Sequence, residues 1–133
     1  MNNYLKLYNL SKKYEKNKSL KVLNNINFKF ESGKVYSIIG PSGSGKSTLL
    51  NLLSLIDIPS SGYIEFNKMK IDVNSSIQND YIRSNNIGII YQDKNLLTDF
   101  TAVENVLLPN LLISNNKIKS TQLAKKLIKK FDL

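Results

Sequence analysis

One glycine-rich segment organises this sequence: Gly40-Pro41-Ser42-Gly43-Ser44-Gly45-Lys46-Ser47-Thr48. Its glycines allow a tight turn and let backbone N–H groups approach an anion without an intervening Cβ. In the pattern G-x-x-x-x-G-K-[ST], which the segment matches, Lys46 supplies a positive charge for the outer phosphates and the Ser47 hydroxyl is placed to ligate Mg²⁺. A helix beginning near Lys46 would direct its positive dipole end at the same phosphates. The segment therefore predicts a phosphate-binding loop for a nucleotide.

The residues on either side fit the strand, loop and helix order that such a loop requires. Residues 35–39 form a short apolar, β-branched run and predict a buried strand. After the loop, apolar residues recur at helical spacing and predict a helix over residues 46–56, through Leu49, Leu52, Leu53 and Ile56. The alternative is a chance match in an ordinary turn, which would not account for both flanks.

Hydrophobic alternation predicts further strands around this core. The half-buried patterns cover residues 3–10 and 22–30, a short strand is predicted at 63–66, and residues 87–91 form a second buried-strand signal that ends at Gln92. Residues 11–18 are polar and predict a loop. The expected fold class is α/β, a P-loop NTPase core with an N-terminal antiparallel β portion.

The chain turns helical after these strands, which predicts the start of an α-helical subdomain. Thr101 and Glu104 fit a capping box, with Thr101 as N-cap, and the helix they open meets Pro109, which should end or kink it. A last amphipathic helix is predicted over residues 120–131, and a short one over residues 75–84.

Composition limits the function classes. The chain has 133 residues and a formal net charge of +9, and Arg83 is the one arginine among its 19 basic residues. Lysine is spread along the whole chain, so we expect no nucleic-acid partner, although a basic balance alone would admit one. There is no cysteine for disulfides or thiolate sites and no histidine to act as a base. No signal peptide or apolar run of about 18 residues occurs, so we expect a cytoplasmic protein, or one attached to a membrane through a partner.

Two further residues are candidates for the site, and each has an ordinary alternative. Tyr14 either caps the edge of the core or stacks on a base. Gln92 either simply ends a strand or reaches Mg²⁺ or a water beside the γ-phosphate, since ligands bind at the carboxyl ends of strands in open α/β sheets. The one apolar run that ends in an acid, at Asp57, belongs to the helix after the loop, so we reject it as a metal-binding strand. No Asp-Glu dipeptide occurs.

The arrangement resembles the ATP-binding subunit of ATP-binding-cassette (ABC) transporters over essentially the whole chain. Tyr14, after Leu-Ser-Lys-Lys, is similar to the aromatic loop that stacks on adenine, and residues 40–48 match the family's phosphate loop. Residues 87–92 are similar to the strand that runs into the family's Q-loop. The segment Asn105-Val106-Leu107-Leu108-Pro109 most resembles the lipoprotein-releasing and macrolide-export branch.

The resemblance implies a division at residue 95, a nucleotide-binding core over residues 1–95 and the beginning of a helical subdomain over residues 96–133. It implies ATP and Mg²⁺ as cofactors, bound by Tyr14, Gln92 and the loop residues, with Lys46 and Gln92 in the reaction and Ser47 and Gln92 on the metal. It also implies transmembrane permease subunits and a second ATP-binding subunit as partners, on the cytoplasmic face of the membrane. The reaction would be ATP hydrolysis coupled to transport or to lipoprotein release.

Parts of the family pattern are missing from this sequence. It lacks the Leu-Ser-Gly-Gly signature, the Asp-Glu strand and the switch histidine, so we expect a truncated form that is inactive by itself. It would be an N-terminal fragment, a truncated gene product or one half of a split protein. The alternatives are a non-catalytic nucleotide-binding remnant or regulatory module and, less favoured, another P-loop kinase or GTPase.

Overall fold

The structure is a computed structural model that describes residues 4–14, 20–72, 75–92 and 95–132. The chain divides into two compact units, Met1–Arg83 and Ser84–Leu133. Within the described residues, no helix is both long and apolar enough to cross a membrane.

The first unit is built on a sheet whose four described strands run antiparallel in the order β2-β1-β3-β4. The strands are β1 (Tyr4–Tyr14), β2 (Leu20–Glu31), β3 (Ser61–Phe66) and β4 (Met69–Lys70). Strand β1 is central, because Leu7 pairs with Phe28 of β2 on one side and with Ile64 of β3 on the other. The strands predicted at residues 3–10, 22–30 and 63–66 are thus confirmed. The loop predicted from residue 11 is wrong as far as Tyr14, since β1 continues that far, and residues 15–18 lie outside the described residues.

Two helices follow strands of the sheet in sequence, α1 (Lys46–Leu53) and α2 (Ser76–Asn86), and α2 extends across the boundary between the two units. Helix α1 ends before the predicted Ile56, because Leu55 adopts a left-handed backbone conformation with φ of 56°. Leu52 on α1 is completely buried, as are the sheet residues Leu7 and Leu10. The core of this unit therefore forms where the apolar side of α1 meets the apolar face of the sheet.

Residues 35–39 form no strand, which contradicts the predicted buried strand. Val35 is 96% exposed and Ile39 is 91% exposed. A buried parallel strand needs neighbours for its ladder, and residues 35–39 pair with no strand among the described residues. Tyr36 instead fastens this segment to β2, because its hydroxyl accepts a hydrogen bond from the Glu31 N–H at 3.0 Å. Between this segment and β2 lies an apolar groove of about 330 Å³.

The second unit contains two helices, α3 (Ala102–Ser114) and α4 (Lys117–Lys130). Leu107 of α3 and Ala124 of α4 are buried between them. The completely buried Ser120 donates its hydroxyl to Asn110 Oδ1 at 2.8 Å, which satisfies both polar groups in the interface.

The predicted capping box is confirmed. Thr101 Oγ1 accepts a hydrogen bond from the Glu104 N–H, and the Thr101 N–H donates to Glu104 Oε2 at 2.8 Å. Hydrogen bonds from the hydroxyl and the N–H of Thr101 lower the pKa of the Glu104 carboxyl below its usual value. The helix runs past Pro109 to Ser114, so of the two predicted effects of Pro109, an end or a kink, the end is wrong. The other end of the helix is capped by Asn115, whose N–H donates to the Leu111 carbonyl oxygen. Because both ends are capped, the helix tolerates the loss of the one backbone hydrogen bond that proline cannot donate.

Two other predictions for the second half of the chain are corrected by the structure. Helix α4 begins at Lys117 rather than at residue 120, because Asn116 caps it by accepting from the Lys119 N–H at 3.0 Å. Residues 87–91 form no strand, and Ile90 is fully exposed. As at residues 35–39, the apolar run has no strand to pair with among the described residues.

Gly62 provides a test of the β1–β3 contact. It has φ of +79°, and an added Cβ would lie 2.4 Å from the carbonyl oxygens of Tyr8 and Asn9. We expect Gly62→Ala to lower the free energy of unfolding by about 3 kcal/mol, from backbone strain and steric overlap together. The matched control is Gly33→Ala, where φ is +74° and nothing lies within 4 Å of the added Cβ. That variant should lose only about 1 kcal/mol. Urea titrations followed by circular dichroism measure both, and equal losses would contradict the steric explanation.

Candidate functional site

The phosphate loop has the backbone shape that its glycines predict. Gly43 and Gly45 have φ of 78° and 90°, in the left-handed region that favours glycine. Gly45 is the N-cap of α1, so the N–H groups of the first helical turn follow it directly. At Gly40, an added Cβ would lie 2.7 Å from Ser44 Oγ. The loop therefore forms a narrow backbone cradle, which is the shape needed to bind phosphate oxygens.

Gly45 also joins this loop to the sheet. An added Cβ there would lie 3.0 Å from Val22 Cγ1 and Leu23 Cδ2, and 3.1 Å from the Val22 carbonyl oxygen. The start of α1 therefore lies directly against β2.

Lys46 lies across its own loop. Its Nζ donates hydrogen bonds to the carbonyl oxygens of Gly40 at 2.9 Å and Pro41 at 2.7 Å. The ammonium group is thus held over the loop, where a phosphate would be its alternative acceptor. Ser47 is exposed at the second position of α1, and Thr48 is half-buried behind it.

The loop residues fit a magnesium nucleotide better than an independent metal ion. No group of three or more His, Cys, Asp or Glu side chains that could hold a metal occurs in the described parts of the chain. Mg²⁺ bound with a nucleotide keeps several waters and takes phosphate oxygens, so it needs only one or two protein ligands. The exposed Ser47 hydroxyl has the chemistry to supply one such ligand, next to a cradle suited to phosphates.

Tyr14 is the last residue of β1, at the edge of the described strand. Its hydroxyl donates a hydrogen bond to Asp57 Oδ2 at 2.9 Å, and 40% of the residue is exposed. The Lys12 ammonium group lies over the ring, 4.9 Å from its centroid. Tyr14 therefore has one face against a cation and keeps enough exposed surface to contact a ligand.

Asp57 is a residue that sequence reasoning rejected as a metal ligand and did not connect to Tyr14. It forms a salt bridge with Lys12, with Nζ and Oδ1 2.5 Å apart and the two side chains 11% and 27% exposed. Asp57 Oδ1 also accepts from the Ile58 N–H at 2.7 Å. Burial alone would raise the pKa of Asp57, but the hydrogen bonds from Lys12, Ile58 and Tyr14 outweigh it and lower the pKa below its usual value. The sequence did show an acidic residue in a turn between a helix and Pro59. The residues near it in sequence gave no sign that Lys12 and Tyr14 are its partners.

The strand register relates Tyr14 to the phosphate loop within the first unit. Tyr14 pairs with Leu20 of β2, and Lys12 pairs with Leu23. Leu23 in turn lies against Gly45. Leu23 is three positions along the strand from Leu20, which is about 10 Å. The ring and the loop therefore lie at the same end of the β1–β2 pair.

Gln92 belongs to the second unit and is exposed in an irregular segment, not at the end of a strand as predicted. The chain just after it is organised by Asn105, which sequence reasoning used only for the resemblance. The Asn105 side chain accepts from the Leu97 N–H at 2.8 Å and donates to the carbonyl oxygens of Leu97, Phe100 and Thr101, each at 3.1 Å. It thereby fixes the turn that precedes α3 to the first turn of that helix.

Comparison with known proteins identifies related sequences. A family model described as ABC transporter matches residues 23–133. The chain is 48% identical over 132 residues to the lipoprotein-releasing system ATP-binding protein LolD of Wigglesworthia glossinidia brevipalpis, which covers 96% of this chain and 57% of that protein. LolD of Rickettsia bellii (strain RML369-C) is 41% identical over 128 residues, covering 96% of this chain and 56% of that protein. This chain thus spans little more than half the length of these relatives.

Solved structures show the same fold. A dimeric ATP-binding cassette in a post-hydrolysis state bound to ADP and Pi matches with a TM-score of 0.83 and 33% identity, over 97% of this chain and 57% of that one. A dimeric bacterial ABC transporter cassette matches with a TM-score of 0.84 at the same identity and coverage. These likenesses confirm the predicted P-loop NTPase fold class.

The Lys12–Asp57 pair predicts how stability responds to acid. Because the pKa of Asp57 is lower in the folded state, its contribution is fully present above the unfolded-state pKa of about 3.9 and is lost as the pH falls towards the folded value. We expect the free energy of unfolding to fall as the pH drops below about 4. Urea titrations at a series of pH values measure this slope.

Two variants provide the comparison. Asp57→Asn should be less stable at neutral pH, because it leaves the Lys12 charge without its partner, and should lose part of the acid slope. Asp80→Asn removes a carboxylate that is 63% exposed and pairs with Arg83, and it should keep the slope. An unchanged slope in Asp57→Asn would show that other carboxylates account for acid sensitivity.

Proposed function

This chain belongs to the ABC transporter family, and we propose that it supplies the nucleotide-binding part of an ATP-binding subunit whose ATP hydrolysis drives transport. The observation that carries the proposal is the phosphate loop. It has two left-handed glycines, a lysine over its carbonyl groups and a helix that starts directly behind it. In a P-loop protein those features bind the β- and γ-phosphates of a nucleotide.

The loop residues have distinct roles in this proposal. Backbone N–H groups of Gly40 and of residues 42–48 surround the phosphates, and the start of α1 adds the positive end of its dipole. Lys46 Nζ exchanges the carbonyl oxygens of Gly40 and Pro41 for phosphate oxygens. The Ser47 hydroxyl is a ligand for Mg²⁺, which when bound neutralises charge that develops on the phosphates.

Two residues outside the loop also have proposed roles in nucleotide binding. The exposed face of Tyr14 stacks on adenine. This role is supported by the position of Tyr14, which lies at the same end of the β1–β2 pair as the phosphate loop. Gln92 contacts the metal or the attacking water in the assembled protein, a role that rests on the family resemblance alone. We also propose the functional division into a nucleotide-binding core, residues 1–95, and the beginning of a helical subdomain, residues 96–133.

We propose the transported cargo and the partners by analogy with the relatives. The similar LolD proteins are named as part of a lipoprotein-releasing system, so we propose lipoprotein release as the process that the subunit powers. Its partners would be transmembrane permease subunits and a second ATP-binding subunit, the latter supported by the dimeric cassettes of the same fold. The subunit would lie on the cytoplasmic face of the membrane, held there by its partners.

We further propose that these 133 residues bind MgATP without appreciable hydrolysis. The sequence contains no histidine and no Asp-Glu dipeptide, so it offers no carboxylate pair to hold the metal from a second strand and no imidazole beside the γ-phosphate. This observation also favours the second candidate function, a nucleotide-binding module without chemistry of its own. Phosphate release that is above background and is abolished by Lys46→Ala would exclude both statements.

Lys46→Ala tests the proposed nucleotide binding. Removing a charge-assisted contact to phosphate should weaken MgATP binding about 10- to 100-fold, measured by isothermal titration calorimetry on the whole chain. The control is Lys34→Ala, which removes an exposed lysine outside the loop and should leave the dissociation constant within about twofold, since only long-range electrostatics change. If both variants bind like the original chain, or if the original chain does not bind MgATP, the proposed function is wrong.

A further inference from the structure

We propose that Asp57 is a positioning residue for base recognition, because together with Lys12 it fixes the Tyr14 ring in the orientation that receives a purine. This inference rests on the proposed function, in which Tyr14 stacks on adenine. It goes beyond it by assigning a role to two residues that touch neither nucleotide nor metal in the proposal.

The first step is the contact between ring and carboxylate. Tyr14 lies at the end of β1, where the strand's pairing with β2 ends at Leu20 and its pairing with β3 ends earlier, at Ser11. A side chain at such an end is free to rotate unless something else holds it. The hydrogen bond from the Tyr14 hydroxyl to Asp57 Oδ2, at 2.9 Å, holds the far end of the ring.

The second step is the fixed position of the carboxylate itself. Asp57 Oδ1 accepts from Lys12 Nζ and from the Ile58 N–H, while Lys12 Nζ also donates to the Ile58 carbonyl oxygen at 2.7 Å. The Lys12 side chain is only 11% exposed. The carboxylate is therefore held by a part-buried network, and the second oxygen is the one available to the tyrosine.

The third step concerns the faces of the ring. Lys12 Nζ lies over one face of Tyr14, at 4.9 Å from the centroid, so a base has only the opposite face to stack on. The residue is 40% exposed, which leaves surface for such a contact. The network thus sets both the tilt of the Tyr14 ring and the face that is open to a base. Because the ring is already held in place, less side-chain entropy is lost when a nucleotide binds.

An ordinary structural role makes a different prediction. If the Lys12–Asp57 pair only joins β1 to the chain between α1 and β3, the Tyr14 hydroxyl is incidental, and its removal leaves nucleotide binding unchanged. If the pair acts through the ring, removing the hydroxyl weakens the contact with the base alone and leaves the contacts with the phosphates as they were.

The experiment uses Tyr14→Phe in the whole chain, which keeps the aromatic ring and leaves the Lys12–Asp57 salt bridge in place. Binding is measured by calorimetry with two probes, MgATP and magnesium tripolyphosphate, which lacks the base and the ribose. We expect the affinity for MgATP to fall about three- to tenfold, as for the loss of one hydrogen bond that pre-organises a ligand contact. The affinity for tripolyphosphate should not change.

Tyr4→Phe is the matched control. Tyr4 lies at the other end of the same strand and donates its hydroxyl to a carboxylate in the same way, to Glu65 Oε1 at 2.6 Å. This variant should leave the affinity for both probes unchanged. An equal loss of MgATP affinity in Tyr4→Phe and Tyr14→Phe would overturn the proposal.

A second pair of variants keeps the role of Asp57 itself open to test. Asp57→Asn should reduce affinity for MgATP but not for tripolyphosphate, and should reduce it no further when Tyr14→Phe is already present. Additive losses would overturn the proposal, because Asp57 would then act without the tyrosine. If Asp57→Asn does not fold, the Tyr14→Phe result decides, since that variant leaves the salt bridge intact.

The outcomes also separate this inference from the proposed function. If the original chain binds MgATP, and Lys46→Ala and Tyr14→Ala weaken that binding while Tyr14→Phe does not, the nucleotide site stands and the positioning role is wrong. If Tyr14→Ala has no effect, adenine stacking by Tyr14 is wrong, and the positioning role falls with it. If the original chain binds neither probe, the proposed function itself fails.

Discussion

The candidate site depends on the close contact between the phosphate loop and strand β2 at Gly45. A Cβ there would crowd Val22 and Leu23, which lie 3.0–3.1 Å from the place it would occupy, and φ is +90°. The absence of a side chain allows the start of α1 to lie this close to β2. The strand register then carries that position on to Tyr14, which pairs with Leu20 on the same strand. The contact at Gly45 and the pairing of β1 with β2 therefore set the position of the phosphate loop relative to Tyr14.

Local patterns predicted most of the fold, whereas the two buried-strand signals were wrong. Alternation in β1, β2 and β3 and the capping box at Thr101 depend on residues close in sequence, and all of them are present. Residues 35–39 and 87–91 have the composition of buried strands, but a strand of that kind exists only with neighbours on its edges. Those neighbours are distant in sequence, so composition could not show whether the described residues supply them. The exposed Val35 and Ile90 are the result.

The same distinction applies to the site. The backbone shape of the phosphate loop could be predicted, because it is a property of nine consecutive residues. Tyr14 could be named as a candidate from the sequence, but the residues around it could not be predicted. The carboxylate that holds it is 43 residues away, in a turn that looked unremarkable in sequence. Asn105 was likewise noted for the motif it belongs to, whereas its hydrogen bonds to the turn before α3 could be read only from the structure.

The two hydrogen bonds of Lys46 have a consequence for how tightly any phosphate is held. Its ammonium group already has two carbonyl acceptors, at 2.9 and 2.7 Å, so it does not arrive at a ligand from bulk water. Binding is then an exchange of acceptors, in which neutral oxygens are given up for charged ones, and only the difference between the two contributes to affinity. Such a loop favours ligands by their charge density. A phosphate that carries more negative charge gains more from this exchange than one that carries less.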